Sequence, residues 1–250
     1  MTDSAAYAGL RVETLADRMV VTLDRPETRN AIDLAMVDAL HAVCAELERE
    51  PRILIVTGAG GVFASGADIG EMRQRRAADA RRSINATVFS RIAALPLPVI
   101  AALDGYALGG GAELAYAADF RIGTPRLRIG NPETGLGIIA AAGALWRLPQ
   151  LVGEPLAKEI VLAGRILTGE EALAVRLITE LHEPDALLPA AHALADRIAA
   201  NDPLATRFTK AVLHADPGEH PAAEQEAQAV LFESPEKERR MTVFLERRKR

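Results

Sequence analysis

The sequence predicts an α/β fold with a largely parallel sheet, followed by a helical C-terminal region. Three observations carry this prediction. ILIVTG at 53–58 and PVIAALDG at 98–105 are continuous apolar runs closed by turn residues, the pattern of strands buried on both faces. Between them Ile84, Val88 and Ile92 recur every four residues, which is helical spacing. After about residue 184 the strand-like runs stop and helical spacing alone continues.

The elements follow in order. LRVETL (10–15) and RMVVTL (18–23) are rich in β-branched residues and separated by Ala16-Asp17, so the chain opens with a hairpin that Arg25-Pro26 ends. Asp33 is placed to cap a helix in which Leu34, Val37, Leu40, Val43 and Leu47 share one face as far as Pro51. Strand, helix and strand then alternate through residue 105, and right-handed crossovers between parallel strands bring the loops after the strands to one rim. Beyond 184 three helical segments are expected, roughly 184–200, 203–214 and 220–248, punctuated by Asn201-Asp202-Pro203 and Asp216-Pro217-Gly218.

Composition narrows the function. The 250 residues carry a formal net charge of −5 and are 49% hydrophobic, with a single cysteine. Such a chain reads as an ordinary soluble globular protein. Cys44 alone excludes a disulfide framework, which makes a reducing cytoplasm the expected compartment. The five histidines show no metal-ligand spacing, so no metal is expected. Neither a signal peptide nor a membrane span is expected, because the longest apolar stretch, 92–103, is short and broken by Pro96 and Pro98. The acidic balance argues against nucleic acid, although the ending RRMTVFLERRKR is locally basic.

Two glycine-rich loops stand out: FASGADI, after one buried strand, and ALGGGAEL, after another. The first is neither a dinucleotide fingerprint nor a nucleophile elbow, because Phe63 sits where a small residue is needed; as a P-loop it lacks the Lys-Ser/Thr pair after Gly66. Backbone N–H groups in two such loops on one rim can jointly bind an oxyanion, though glycines also serve simple tight turns. Glu113 follows the triplet Gly109-Gly110-Gly111 at an expected helix start, and Glu133 lies in the loop segment IGNPETGLG. Buried glutamates suit general acid and base work. On pattern alone, a helix-start charge and a surface turn fit them equally well.

Four segments in order, LDRPETRNAI (23–32), VFASGADIGEM (62–72), ALGGGAELAYAADFRIG (107–123) and IGNPETGLGI (129–138), resemble the successive motifs of the enoyl-CoA hydratase/isomerase (crotonase) family, as does the ending VFLERRKR. The resemblance implies a crotonase-like spiral of ββα repeats over residues 1–190. It also implies a helical oligomerisation region over 191–250 that builds a homotrimer or homohexamer. The substrate is then an acyl-CoA thioester, with coenzyme A part of the substrate and no cofactor. Motif by motif, Ala67 and Gly110 supply the two backbone donors to an enolate-like oxygen, Glu113 activates water and Glu133 supplies the proton at the α-carbon. Ala64, Gly66, Asp68, Ile69 and Gly109 fall at substrate-binding positions, with Arg25, Arg29 and the basic tail around Phe244 as candidates for the CoA phosphates. Arg25 can equally brace its own turn. Two acids favour hydration over double-bond isomerisation by a single acid; another enolate-forming lyase of the same fold and a non-catalytic acyl-CoA-binding or scaffold protein remain the alternatives. Where hydratases of the family read PGAGGTQRL, this chain reads AAAGALWRL at 140–148. The change leaves the proposed acid, base and oxyanion donors untouched and brings Trp146 near the acyl pocket or into core packing.

Overall fold

The computed structural model describes residues 7–248 and divides into two compact units, Met1–Ala195 and Asp196–Arg250. In the first unit the opening hairpin is β1 (Leu10–Thr14) and β2 (Arg18–Leu23), paired antiparallel. Helix α1 (Leu34–Arg49) begins where expected, Asp33 accepting the Met36 N–H at 2.8 Å, and buries Val37, Leu40, Val43 and Leu47. Strand β3 (Ile53–Gly58) follows. Two short helices, α2 (Ile69–Gln74) and α3 (Ala77–Arg82), and the longer α4 (Ile84–Ala93) lead to β4 (Val99–Leu103). Then come β5 (Tyr106–Leu108), α5 (Gly110–Tyr116), β6 (Phe120–Gly123) and β7 (Arg128–Gly130). After α6 (Ala144–Val152) and α7 (Glu154–Ala163) the chain forms β8 (Leu167–Thr168), α8 (Gly169–Ala174), β9 (Glu180–Leu181) and α9 (Leu187–Ala199).

The large sheet has the order β1-β2-β3-β4-β6-β9, and from β2 onward every pair is parallel. Each excursion of the chain therefore adds one strand at the same growing edge, which winds the unit as a spiral. A second, three-stranded sheet, β5-β7-β8, collects one short strand from successive turns. The core lies around Met19, Leu40, Val56, Phe63, Phe89 and Val99, all buried. Cys44 is part of it, and burial pushes its thiol up to about 12, which keeps it an inert thiol.

The second unit contains α10 (Pro203–Leu213), α11 (Ala222–Phe232) and α12 (Pro235–Arg247). The single segment expected over 220–248 is thus two helices. Pro235 has no N–H to continue α11, and Ser234 takes an extended conformation (φ −73°, ψ 127°) before it. Leu213, Val230, Phe232, Met241, Phe244 and Leu245 are exposed. Lys249 and Arg250, the end of the basic tail, lie outside the described residues. Among the described residues no helix is long and apolar enough to cross a membrane.

Candidate active site

The two glycine loops are sewn together by main-chain bonds. The Ala64 N–H donates to Tyr106 O at 2.9 Å, and its carbonyl accepts the Leu108 N–H at 3.0 Å. Ile32 grips the other end, donating to Gly66 O (2.8 Å) and accepting from the Asp68 N–H (3.0 Å). The buried Asn30 carboxamide supports the loop below, donating to Ala59 O and Val62 O. The loop carrying the triplet follows β5 of the small sheet and not a strand of the large one.

The triplet has a separate reason at each end. Gly109 holds φ +51°, ψ −123°, a conformation that side chains rarely take, and turns the chain into α5. A Cβ on Gly111 would stand 2.4 Å from Ala64 O, so only a bare backbone lets α5 approach the first loop. Gly110 lies between them at the start of the helix, and a Cβ there would reach within 3.4 Å of the Ala67 nitrogen. Among the described residues neither the Ala67 nor the Gly110 N–H has an acceptor in the protein. Two free N–H donors therefore share one small space at a helix start, where the peptide dipoles favour negative charge.

Glu113, in the first turn of α5, is 3% exposed. Its Oε1 accepts two backbone bonds, from the N–H of Ala142 (2.6 Å) and of Ala144 (3.1 Å). Burial pushes its carboxyl up to about 7, the Ala144 and Ala142 bonds pull it down, and the neighbouring Glu133 charge raises it again. Glu133 opens a short 3₁₀ turn and is 9% exposed. Its Oε1 accepts from Asn131 Nδ2 at 3.3 Å, whereas its buried Oε2 has no protein partner among the described residues. Burial raises Glu133 as well, against bonds from its own backbone and Asn131. Asn131 is itself fixed: Nδ2 also donates to Gly109 O (3.3 Å), and Oδ1 accepts from the buried Tyr116 hydroxyl (3.1 Å).

Both glutamates and both amides line one cavity of about 590 Å³ in the first unit. Its other walls are largely apolar, with Ile69 and Met72 from α2, Ile84 from α4, and Leu136, Ile138 and Ile139 from the following loop. A base, an acid and an anion-binding amide pair at one end of an apolar pocket suit proton transfer beside a carbonyl carried on a short hydrocarbon chain.

The family model described as enoyl-CoA hydratase/isomerase matches residues 15–250. The chain belongs to the enoyl-CoA hydratase/isomerase family. It is 36% identical over 239 residues to the short-chain-enoyl-CoA hydratase of Clostridium acetobutylicum, covering 92% of each chain. With the crotonyl-CoA hydratase of Syntrophomonas wolfei it shares 36% identity over 255 residues, 98% of this chain and 97% of the other. The crystal structure of the enoyl-CoA hydratase from Bacillus anthracis matches with a TM-score of 0.90 at 31% identity, covering 96% of both chains. The spiral is the crotonase fold.

Within this hydratase/isomerase chain the remaining sequence candidates separate. Gly66, Ala67, Ile69, Gly109 and Gly110 line the cavity with the two acids. Ala64 is fully buried behind them, its methyl under Gly111. Asp68 caps α2, accepting the Glu71 N–H at 3.1 Å. Arg25 braces its turn through Asp33 (2.8 Å) and Ala31 O (2.8 Å). Arg29 is exposed, in a left-handed conformation forced by the turn, and its carbonyl receives the Ser65 N–H. Phe244 belongs to the second unit, exposed on α12 with its ring against Arg248. Trp146 is 46% exposed on α6, covered in part by the Arg147 guanidinium, and is outside the cavity wall. The divergent stretch 140–148 does touch Glu113, contrary to expectation, because Ala142 and Ala144 hold its carboxylate by their amides. Asn131 and Tyr116 were missed too. Asn131 stands two residues before Glu133 in the quoted motif, and that position was its only sequence signal.

Proposed function

We propose that the protein is an enoyl-CoA hydratase, adding water reversibly to a 2-enoyl-CoA thioester to give the 3-hydroxyacyl-CoA. The observation that carries this reading is the pair of buried carboxyls on one cavity wall, both raised, beside two free N–H groups. Near pH 7 Glu113 is poised between its forms, so it can take a proton from water as the oxygen bonds to C3. The electrons of the C2–C3 double bond move onto the thioester oxygen, which the Ala67 and Gly110 N–H groups stabilise. Glu133, its carboxyl raised by burial and its buried Oε2 unpartnered in the protein, delivers a proton to C2 as the carbonyl re-forms. The proton taken by Glu113 then returns to Glu133 by exchange with water. One water is added and nothing else is consumed, so the reaction calls for no cofactor beyond the CoA that arrives with the substrate.

The apolar residues exposed on the helical second unit support a homotrimer or a pair of trimers, with cytoplasmic residence as part of the same reading. The experiment is turnover of crotonyl-CoA, followed as loss of absorbance of the conjugated thioester. A folded wild-type protein that bound acyl-CoA without consuming it would overturn the hydratase reading in favour of a binding protein.

A further inference from the structure

Ser65, Arg75, Arg76, Asp79, Ser83 and Asn85 also line the cavity, and of these only Asn85 carries a buried polar atom without a partner among the described residues. Asn85, on the first turn of α4, lines the cavity next to Ile84. Its Nδ2 lies 3.6 Å from the point where a Gly110 Cβ would stand, the same point that is 3.4 Å from the Ala67 nitrogen. The carboxamide therefore lies close to the place assigned to the thioester oxygen. Its Oδ1 is buried and has no hydrogen-bond partner among the described residues. A buried acceptor left unpaired is unfavourable, and leucine would fill the same space on this wall without that penalty. A carboxamide here suits a ligand that brings a hydrogen-bonding group to it.

Resting on the hydratase reading, we propose that Asn85 is a specificity-determining residue that recognises a hydroxyl on the acyl chain, so that the pocket prefers hydroxylated short-chain 2-enoyl-CoA thioesters to plain ones. The position follows from the chemistry. With the C1 oxygen on the Ala67 and Gly110 amides and C2 and C3 facing the two glutamates, C4 is the first carbon free to carry a substituent. A hydroxyl both donates and accepts, so it satisfies Oδ1 and can receive Nδ2. Bare hydrocarbon leaves the carboxamide unpaired.

The test compares crotonyl-CoA with 4-hydroxycrotonyl-CoA for the wild type, Asn85→Leu and Asn85→Ala. The readout is the ratio of the two kcat/KM values within each protein, from which the amount of folded enzyme cancels. The wild type is expected to favour the hydroxylated substrate about tenfold, the worth of one well-made hydrogen bond, and both variants to lose that preference. A ratio unchanged in both variants, or an equal fall on both substrates, overturns the specificity role. A wild type that consumes neither substrate removes the hydratase reading itself, so the two failures are told apart.

Discussion

Glu113 is held by Ala142: its Oε1 accepts the Ala142 N–H at 2.6 Å, and that amide belongs to the stretch in which the chain departs from its family's usual sequence. Because the bond comes from the main chain, the departure changes side chains while preserving the cradle.

Burial of this carboxyl links stability to pH. A folded-state value of about 7 against an ordinary 4.5 means that the folded protein holds the proton more tightly than the unfolded chain. The resulting stability is fully present below about pH 4.5 and is lost as pH rises through 7, by about 3 kcal/mol for this group. Glu113→Gln keeps the acceptor for both amides and removes the titration. Its melting temperature should therefore gain on the wild type's between pH 5 and 8, and parallel curves would refute the linkage.

The same ionisation governs the rate. In the proposed mechanism Glu113 acts as the base and must be ionised in the free enzyme, so kcat/KM should climb with pH along a limb near 7. Glu113→Gln and Glu133→Gln should each lower hydration by roughly 10²–10⁴, with strongly non-additive losses in the double variant. If Glu113→Gln loses hydration but still migrates a double bond, Glu133 alone carries protons for isomerisation.

Neighbouring glycines should behave oppositely. Gly111→Ala drives a methyl to 2.4 Å from Ala64 O and should destabilise the fold by about 3 kcal/mol, read from the denaturation midpoint. Gly110→Ala meets nothing closer than 3.4 Å and should fold normally, yet its methyl stands against the Ala67 amide and should depress turnover by about 10²-fold or more.

Arg25→Ala should cost about 1 kcal/mol of stability through loss of its partly buried ion pair with Asp33, while CoA affinity measured by calorimetry stays within about twofold. A tenfold loss of affinity would restore Arg25 as a phosphate ligand.

Trp146→Ala should leave the acyl-chain-length profile unchanged, because the indole lies half-exposed on α6 and outside the cavity wall. A shifted profile would return it to the acyl pocket.

Much of the frame was legible because long elements announce themselves by period. The hairpin, α1, β3, α4 and β4 each repeat apolar residues often enough to be read. Strands β5 and β7 have three residues each and β8 two, too few for any alternation, so the small sheet was invisible before folding. That Glu113, Glu133 and the two glycine loops meet in one cavity was legible through glycine and motif order. The cradle of Glu113 was not, since any non-proline residue at 142 and 144 offers the same N–H. Asn85 was hidden beside Ile84 in a helical repeat read only for its apolar face.

Helices α2 and α3 wall the cavity yet bury no residue of their own, whereas the loops at 64–67 and 107–111 that carry the amides are bridged to each other and to Ile32. Inheritance can therefore treat the two parts differently. Substitutions across 69–83 meet little resistance from folding, each worth only about 0.5 kcal/mol at an exposed position, while those in the paired loops are purged. Lineages descending from this chain can drift in which thioester they accept and keep the same chemistry, with diversification concentrated in one short, exchangeable cassette.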